Sequence, residues 1–333
     1  MQARTPILFI ILSILTVLLF TLDLTVGAVA IPLTDVWKAL TGGDCAPATA
    51  KIVLNIRLVK AIVALLAGAA LTVSGLQMQT LFRNPLAGPY VLGISSGASL
   101  GVALFILGAP LLGLPSAFSA LGVAGAAWVG AAAVLVVIAI VGLRIKDIMV
   151  ILILGMMFSS GVSAVVQILQ YLSKEDSLKA FVIWSIGSLG DVTLPQLAIL
   201  VPAVAAGLVL AVVTIKPLNL LLFGEEYAVT MGLNLRRSRT LLFFSTTLLA
   251  GTVTAFCGPI GFIGLAMPHV TRMLFADSDH RVLIPATMLT GASILLLCDI
   301  VSKMLTLPIN AITALLGIPI VVWVVLRNKS MTR

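Results

Sequence analysis

The chain is built from apolar runs that are long enough to cross a lipid bilayer. Residues 6–29 and 148–171 are two examples, and each exceeds the roughly 20 apolar residues that a membrane-spanning helix needs. Hydrophobic residues make up 60% of the 333 residues and charged residues only 10%, whereas soluble domains carry about 25% charged residues. Because backbone polar groups find no water inside a bilayer, such runs fold as helices. The sequence therefore predicts an all-α polytopic membrane protein.

About ten transmembrane helices can be placed between the polar breaks. They are predicted at 6–29, 61–82, 90–107, 117–143, 148–171, 197–215, 240–257, 258–274, 282–301 and 311–326. The eighth, GPIGFIGLAMPHVTRML, is short, and we expect Pro259 to open it. Residues 172–196 are too polar to span and carry Trp184, which suits an extracytoplasmic helix that is interfacial or partly re-entrant. Residues 216–239 form a cytoplasmic insert, and residues 1–333 as a whole are expected to form a single transmembrane domain.

The net charge of +8 comes from basic residues near the ends of these segments. If the N-terminus is cytoplasmic, most of the 20 Lys and Arg residues fall on the cytoplasmic side. These are Arg4, Arg83, Arg144, Lys146, Lys216, Arg236, Arg237, Arg239, Arg272, Arg281, Arg327, Lys329 and Arg333. The positive-inside rule then predicts that both termini are cytoplasmic. A lipid bilayer accounts for this charge, and no nucleic-acid partner is needed.

The predicted spans lack the groups that drive ion-coupled carriers or membrane enzymes. Asp23 and Asp299 come closest to being intramembrane, but both lie near outer boundaries, so no embedded carboxylate pair is expected. The chain has neither G-x-x-x-x-G-K-[ST] nor H-E-x-x-H, and its three cysteines lack metal-binding spacing. We therefore expect no catalytic residue, no cofactor and no resident metal. Transport energy would come from a partner, with an ion-coupled secondary transporter as the alternative.

The polar insert is the predicted attachment point for such a partner. The segment FGEEYAVTMGLNLRR, residues 223–237, begins with Gly and two acidic residues that suit a helix N-terminus. Ala228, Val229 and Met231 follow, and Gly232 ends the helix. The pattern predicts a short amphipathic helix, a turn and a basic segment, and a protein partner would cover its apolar face. The alternative is a solvated cytoplasmic loop.

Four motifs occur in order along almost the whole chain. They are LAGAALTVSGLQMQTLFRNPLAGPYVLGISSGASLG (66–101), GEEYAVTMGLNLRR (224–237), GPIGFIGLAMPHVTRML (258–274) and LPINAITALLGIPIVVWVVL (307–326). Together they resemble the FecCD family of permeases in bacterial ABC importers for iron siderophores, haem and cobalamin. The resemblance implies the type II ABC importer permease fold and alternating access across the cytoplasmic (inner) membrane. Ferric siderophore is the favoured substrate by family frequency, with cobalamin and haem close behind.

The same resemblance implies an assembly in which this chain has no catalytic role. The expected partners are a second permease subunit in a homodimer, two cytoplasmic ABC ATPase subunits, and an extracytoplasmic substrate-binding protein.

One departure from the family occurs in the last motif, where Asn310 stands in place of a flexible residue near the outer mouth. This substitution puts the shape of that loop in doubt.

Several residues take roles from the family motifs. The expected ATPase-coupling residues are Gly224, Glu225, Glu226, Ala228, Met231, Gly232, Leu233 and Arg236. Asn84, Pro85 and Leu86 are expected at a cytoplasmic gate, with an ordinary turn as the alternative. Arg57, Lys60 and Lys303 are expected to dock the binding protein, with boundary snorkelling as the alternative. Pro268, His269 and Arg272 form the family's P-H-x-x-R signature at the cytoplasmic end.

A pathway for a bulky chelate is expected to be lined by small or weakly polar side chains. The candidates are Gln77, Met156, Ser160, Ser163 and Gln167. Close helix packing explains small residues equally well, so that alternative stays open. The two histidines, His269 and His280, are both predicted near the cytoplasmic side. The metal is therefore expected to travel inside its chelator.

Overall fold

The computed structural model describes residues 4–27, 29–109, 120–145 and 147–327. Lys146, Lys329 and Arg333 of the predicted cytoplasmic set lie outside these residues, as does the start of the helix predicted at 117–143. Every regular element in the described ranges is helical, which confirms the all-α prediction.

The described chain forms helices that we number in order. They are α1 (Arg4–Thr25), α2 (Leu33–Thr41), α3 (Pro47–Leu81), α4 (Ile94–Gly108), α5 (Ala120–Arg144), α6 (Ile148–Leu172), α7 (Glu175–Ile186), α8 (Leu194–Val213), α9 (Ile215–Leu221), α10 (Glu225–Thr230), α11 (Leu235–Cys257), α12 (Ile263–Phe275), α13 (His280–Leu305) and α14 (Ile309–Arg327). Seven of these described helices are long and apolar enough to span a membrane. With the shorter α4, α12 and α14, each of the ten predicted spans corresponds to a helix.

Residues 32–60 lie between the first two predicted spans and are mostly helical. They contain α2 and the first part of α3, and α3 is 35 residues long. A π-helical turn at Val53–Arg57 lies within α3. The second span was predicted to begin at residue 61, just after the charged residues Arg57 and Lys60. Both charges have partners inside the protein, described below, so the helix continues through them.

Helix α3 is the centre of the fold. All residues from Ala67 to Leu81 are buried, and α3 contacts α8, α11, α12 and α13. Glycines allow these contacts, because a Cβ on Gly75 would overlap the carbonyl oxygen of Gly264 in α12. A Cβ on Gly68 would likewise overlap the carbonyl oxygen of Gly291 in α13. Small residues that let backbones meet are a common way to pack membrane helices.

The segment GPIGF, residues 258–262, is not helical, so the expectation that Pro259 opens a helix is wrong. Phe262 has a φ of +65° and precedes α12, which begins at Ile263. The backbone N–H of Gly261 donates to Oδ1 of Asn310 at 2.9 Å. Asn310, the departure from the family motif, therefore satisfies a backbone donor that no helix can satisfy here.

Candidate coupling and gating site

Helix α10 is short and carries exposed apolar side chains. It begins after Gly224, whose φ of +103° favours glycine. Ala228 is buried against the protein, whereas Phe223 and Tyr227 are each 67% exposed and Met231 is 54% exposed. The predicted amphipathic helix therefore exists, with its small residue inward and its large apolar residues outward. Exposed apolar residues grouped in this way are typical of a protein-binding surface.

An ion pair fixes α10 against α11. Arg239 Nη2 lies 2.6 Å from both carboxylate oxygens of Glu225, and Arg239 Nε donates to Oε1 at 3.2 Å. The Arg239 side chain is only 10% exposed. The Glu225 carboxylate is therefore engaged within the chain, and the neighbouring Glu226 is the acidic side chain that α10 presents outward.

The turn after α10 closes in the way that the sequence predicted. Gly232 has a φ of +85° and lies at the surface. The N–H of Leu233 donates to the carbonyl of Ala228 at 2.9 Å. Asn234 then caps α11 by accepting from the N–H of Arg237 at 3.0 Å, and Arg236 is exposed in its first turn. The basic segment is thus the start of α11.

Two clefts flank α10. One has a volume of about 690 Å³ between α10, α11 and α5, and its lining includes Glu226, Arg236 and Phe243. The other has a volume of about 680 Å³, and its lining includes Arg83, Phe223 and Tyr227. Arg83 directly precedes the predicted gate residues, so this second cleft separates α10 from the gate turn.

The structure joins the predicted gate turn to the P-H-x-x-R signature. In the turn, the N–H of Leu86 donates to Asn84 Oδ1 at 2.9 Å. His269 Nε2 donates to the carbonyl of Pro85 at 2.7 Å, because a carbonyl can only accept. His269 is thereby a structural donor that holds the turn on α12. Pro268 is buried beside it within α12.

Arg272 adds a second link between α12 and the end of α3. Its Nη1 donates to Gln79 Oε1 at 2.7 Å. Gln79 Nε2 in turn donates to the carbonyl of Leu265 at 2.9 Å. The signature residues His269 and Arg272 therefore hold the gate turn and the preceding α3 residues as one unit.

Closer to the N-terminal half of α3 lies a buried ion cluster, made of Asp23, Arg57, Lys60, Asp299 and Lys303. Lys60 Nζ lies 2.9 Å from Asp299 Oδ1, and Lys303 Nζ lies 2.9 Å from Asp299 Oδ2. Lys303 Nζ also lies 2.8 Å from Asp23 Oδ1. Both aspartates have no exposed surface. Residue 60 is about 28 Å along the helix axis from residue 79, so the cluster and the gate are well separated along α3.

The ion cluster bears on two expectations. A buried carboxylate pair does exist, although two lysine ammonium groups neutralise it. Arg57 is buried and donates to the carbonyls of Leu24 and Thr25 at the end of α1 and to that of Val29 beyond it. Its guanidinium therefore binds carbonyls at and just beyond the end of α1 and is enclosed, whereas docking a binding protein needs an exposed cation.

Lys303 is nearly as enclosed as Arg57. Its side chain is 9% exposed, whereas that of Lys60 is 20% exposed. Long-range ion pairs of this kind have no local sequence signature, since Asp23 and Lys303 are 280 residues apart. Only their shared position at the same predicted boundary could have suggested them.

The predicted pore residues separate into two groups. Gln77 is fully buried, donates to Thr214 at 3.1 Å and Ser245 at 3.0 Å, and accepts from Thr246 at 3.1 Å. It therefore joins α3, the turn at Thr214 after α8, and α11 inside one chain, and the structure places it in the core and not on an exposed face. The other four are exposed on one face of α6, at spacings of four, three and four residues. They are Met156, Ser160, Ser163 and Gln167.

Comparison with known proteins matches residues 15–327 to the FecCD transport family. The chain is 35% identical to the hemin transport system permease HmuU of Yersinia pestis, over 96% of this chain and 95% of that protein. It is 39% identical to the vitamin B12 import permease BtuC of Klebsiella pneumoniae, over 83% and 82% respectively. It is 33% identical to the ferric enterobactin permease FepD of Escherichia coli, over 95% and 94%.

A solved structure gives the same result at the level of the fold. An inward-facing metal-chelate type ABC transporter superposes with a TM-score of 0.83 and 29% identity, over 94% of this chain and 97% of that chain. Permeases of this type are transport components that work with ATPase and substrate-binding partners in ABC importers. The apolar helices and bacterial relatives indicate a multi-pass inner membrane protein. The chain therefore belongs to the FecCD transport family, as a permease of a metal-chelate type ABC importer.

Proposed function

We propose that this chain imports a ferric siderophore by alternating access, driven by ATP hydrolysis on partner subunits that bind α10. The observation that carries the proposal is α10 itself. Tyr227 in α10, Phe223 just before it and Met231 just after it are exposed beside two clefts, although an isolated protein gains nothing by exposing them. Glu225 and Arg239 hold the helix against the bundle. Glu226 and Arg236 supply charge at the rim of the same surface.

The gate turn is the proposed moving part on the α10 side. Asn84, Pro85 and Leu86 follow α3 directly, and the links from His269 and Arg272 make the turn move with α12. Both termini are proposed to be cytoplasmic, and residues 216–239 form the cytoplasmic insert. Residues 1–333 form one transmembrane domain in this proposal, and α7, within residues 172–196, lies on the extracytoplasmic side.

A second copy of the chain completes the proposed pathway. Ser160, Ser163 and Gln167 are polar side chains on an exposed face of a span, where lipid contact would be unfavourable. A homodimer would place two such faces against each other and leave a weakly polar channel between them. Met156 on the same face adds a flexible apolar contact for a large chelate.

The binding protein is proposed to dock at the end of the bundle that holds the buried ion cluster. Of the three cations predicted for this role, Lys60 keeps the largest exposed fraction. An ion-coupled carrier is the second candidate, because Asp23 and Asp299 form a buried carboxylate pair. Their lysine partners at 2.8 and 2.9 Å make a structural role the stronger interpretation.

Uptake by a deletion strain tests the proposed substrate. We expect cells that lack this chain to lose accumulation of a radiolabelled ferric siderophore and to regain it on expression of the wild-type chain. Labelled haem and cobalamin are measured in parallel. Loss of haem or cobalamin uptake instead would reassign the substrate within the same transporter class, whereas unchanged uptake of all three would contradict the proposed function.

A further inference from the structure

One amide side chain connects the insert that carries α10 to the core of the bundle. Asn219 lies in α9, six residues before α10 begins at Glu225. Its Oδ1 accepts from the backbone N–H of His280 at 2.9 Å and from His280 Nδ1 at 2.7 Å. Its Nδ2 donates to Asp279 Oδ1 at 2.6 Å. Both ends of the amide are therefore bound to the start of α13.

His280 extends this connection to α3. The residue has no exposed surface, and its Nε2 lies 2.9 Å from the hydroxyl of Thr80. Since Nδ1 must carry a proton to donate to Asn219, Nε2 of the neutral ring is left to accept from the Thr80 hydroxyl, which also lies 3.0 Å from the carbonyl of Leu76. Both ring nitrogens are thus used, and they face two different helices.

Thr80 is next to Gln79, which Arg272 binds, and four residues before Asn84 in the gate turn. A continuous path of side-chain hydrogen bonds and short chain segments therefore runs from α10 to the gate. Apolar packing supports the first step, because Leu218 is fully buried and Leu221 is 2% exposed in α9. The helix that precedes α10 cannot shift without carrying the start of α13 with it.

We propose that Asn219 and His280 are positioning residues that transmit displacement of α10 to the gate turn. This inference rests on the proposed function, since it needs a partner that moves α10. Apolar contacts alone would keep α9 packed on α13 but would not fix the position of one helix along the other. An amide that makes three directional hydrogen bonds fixes the register between the two helices, as buried polar networks do.

Asn219→Asp tests the link with almost no change in shape. The new carboxylate still accepts from His280 but places an oxygen against Asp279, where the amide donated at 2.6 Å. Hydrogen bonds from the Arg281 N–H and, more weakly, from Asn219 hold the pKa of Asp279 below its ordinary value, so that carboxylate is ionised at neutral pH. Two like charges would then meet, and α9 would separate from α13. The double variant Asn219→Asp/Asp279→Asn restores this hydrogen bond in the reverse direction, because the new amide at position 279 donates to the new carboxylate at position 219.

The readout is the number of chelate molecules imported per ATP hydrolysed by the complete transporter in liposomes. For Asn219→Asp we expect this ratio to fall about tenfold, within the usual range of coupling between sites, while the ATPase still co-purifies. The double variant should return to within about twofold of wild type. Asn55→Asp is the matched control, because Asn55 is exposed.

A wild-type ratio in Asn219→Asp, or no recovery in the double variant, would overturn the inference. If Asn219→Asp does not accumulate, Thr80→Val carries the test, since it replaces the hydroxyl that contacts His280 and the Leu76 carbonyl by a methyl group of similar size. It too should lower the ratio several-fold, and an unchanged ratio would contradict the inference. Failure of wild-type permease to retain any ATPase would instead refute the proposed function.

Discussion

Replacement of Asp299 by asparagine is expected to lower the free energy of unfolding by about 3–5 kcal/mol. Asp299 is fully buried, and it contacts Lys60 and Lys303 at 2.9 Å each. The variant leaves two ammonium groups in the protein interior with Asp23 as the remaining carboxylate. An uncompensated buried charge is costly because the surroundings cannot replace its hydration. The measurement is the midpoint of thermal unfolding in detergent, together with the yield of folded protein.

Two further variants isolate the electrostatic origin of that loss. Asp35→Asn is the surface control, since Asp35 is 40% exposed and lies 3.9 Å from Lys38. Such a pair contributes at most about 1 kcal/mol. The double variant Asp299→Asn/Lys60→Met removes one surplus positive charge and should recover part of the lost stability. Equal midpoints for Asp299→Asn and Asp35→Asn would show that the cluster does not stabilise the fold.

Aspartate at both Tyr227 and Met231 is expected to abolish ATPase binding and chelate uptake. Both side chains project from the α10 surface, 67% and 54% exposed, so the bundle itself loses little packing. If they are interface hot spots, each substitution costs roughly 2 kcal/mol or more of binding free energy. Two such losses weaken binding by about a thousandfold. Co-purification of the ATPase with the tagged permease measures the effect.

The matched control is Tyr227→Phe/Met231→Leu, which keeps the apolar surface and should retain the ATPase. Thermal unfolding of both double variants should match wild type, because neither side chain is part of the core. Normal ATPase recovery with the aspartate variant would mean that α10 is not the coupling surface.

Local sequence patterns predicted α10 well. Its acidic first turn, buried small residue and terminal glycine all lie within the eight residues 225–232, so the local pattern contains the information for this helix. The same holds for α12 after Ile263, although not for its start. Phe262 adopts a positive φ because α11 and α14 hold this segment, through contacts such as Gly261 with Asn310. Nothing in GPIGF itself specifies that tertiary arrangement.

The buried polar residues were harder to predict, because their partners are distant in sequence. Gln77 is polar on a span, which suggests a channel, but Thr214, Ser245 and Thr246 satisfy its amide in the core. In the sequence, Arg57 and Lys60 resemble residues at a membrane boundary. In the structure, Arg57 donates to carbonyls of α1, and Lys60 pairs with a carboxylate of α13. The family resemblance predicted the gate turn and the signature separately. The hydrogen bond from His269 to Pro85, which joins them, required the structure.

The energy source for uptake tests the central claim most directly. The complete transporter is reconstituted in liposomes with its ATPase and binding protein, and uptake of the labelled chelate is measured with ATP and with imposed proton or sodium gradients. Uptake should require hydrolysable ATP, persist with a protonophore, and vanish in Tyr227→Asp/Met231→Asp. Uptake that needs an ion gradient, continues without ATP and is lost in Asp23→Asn would instead identify the buried carboxylate pair as the coupling site of a secondary carrier.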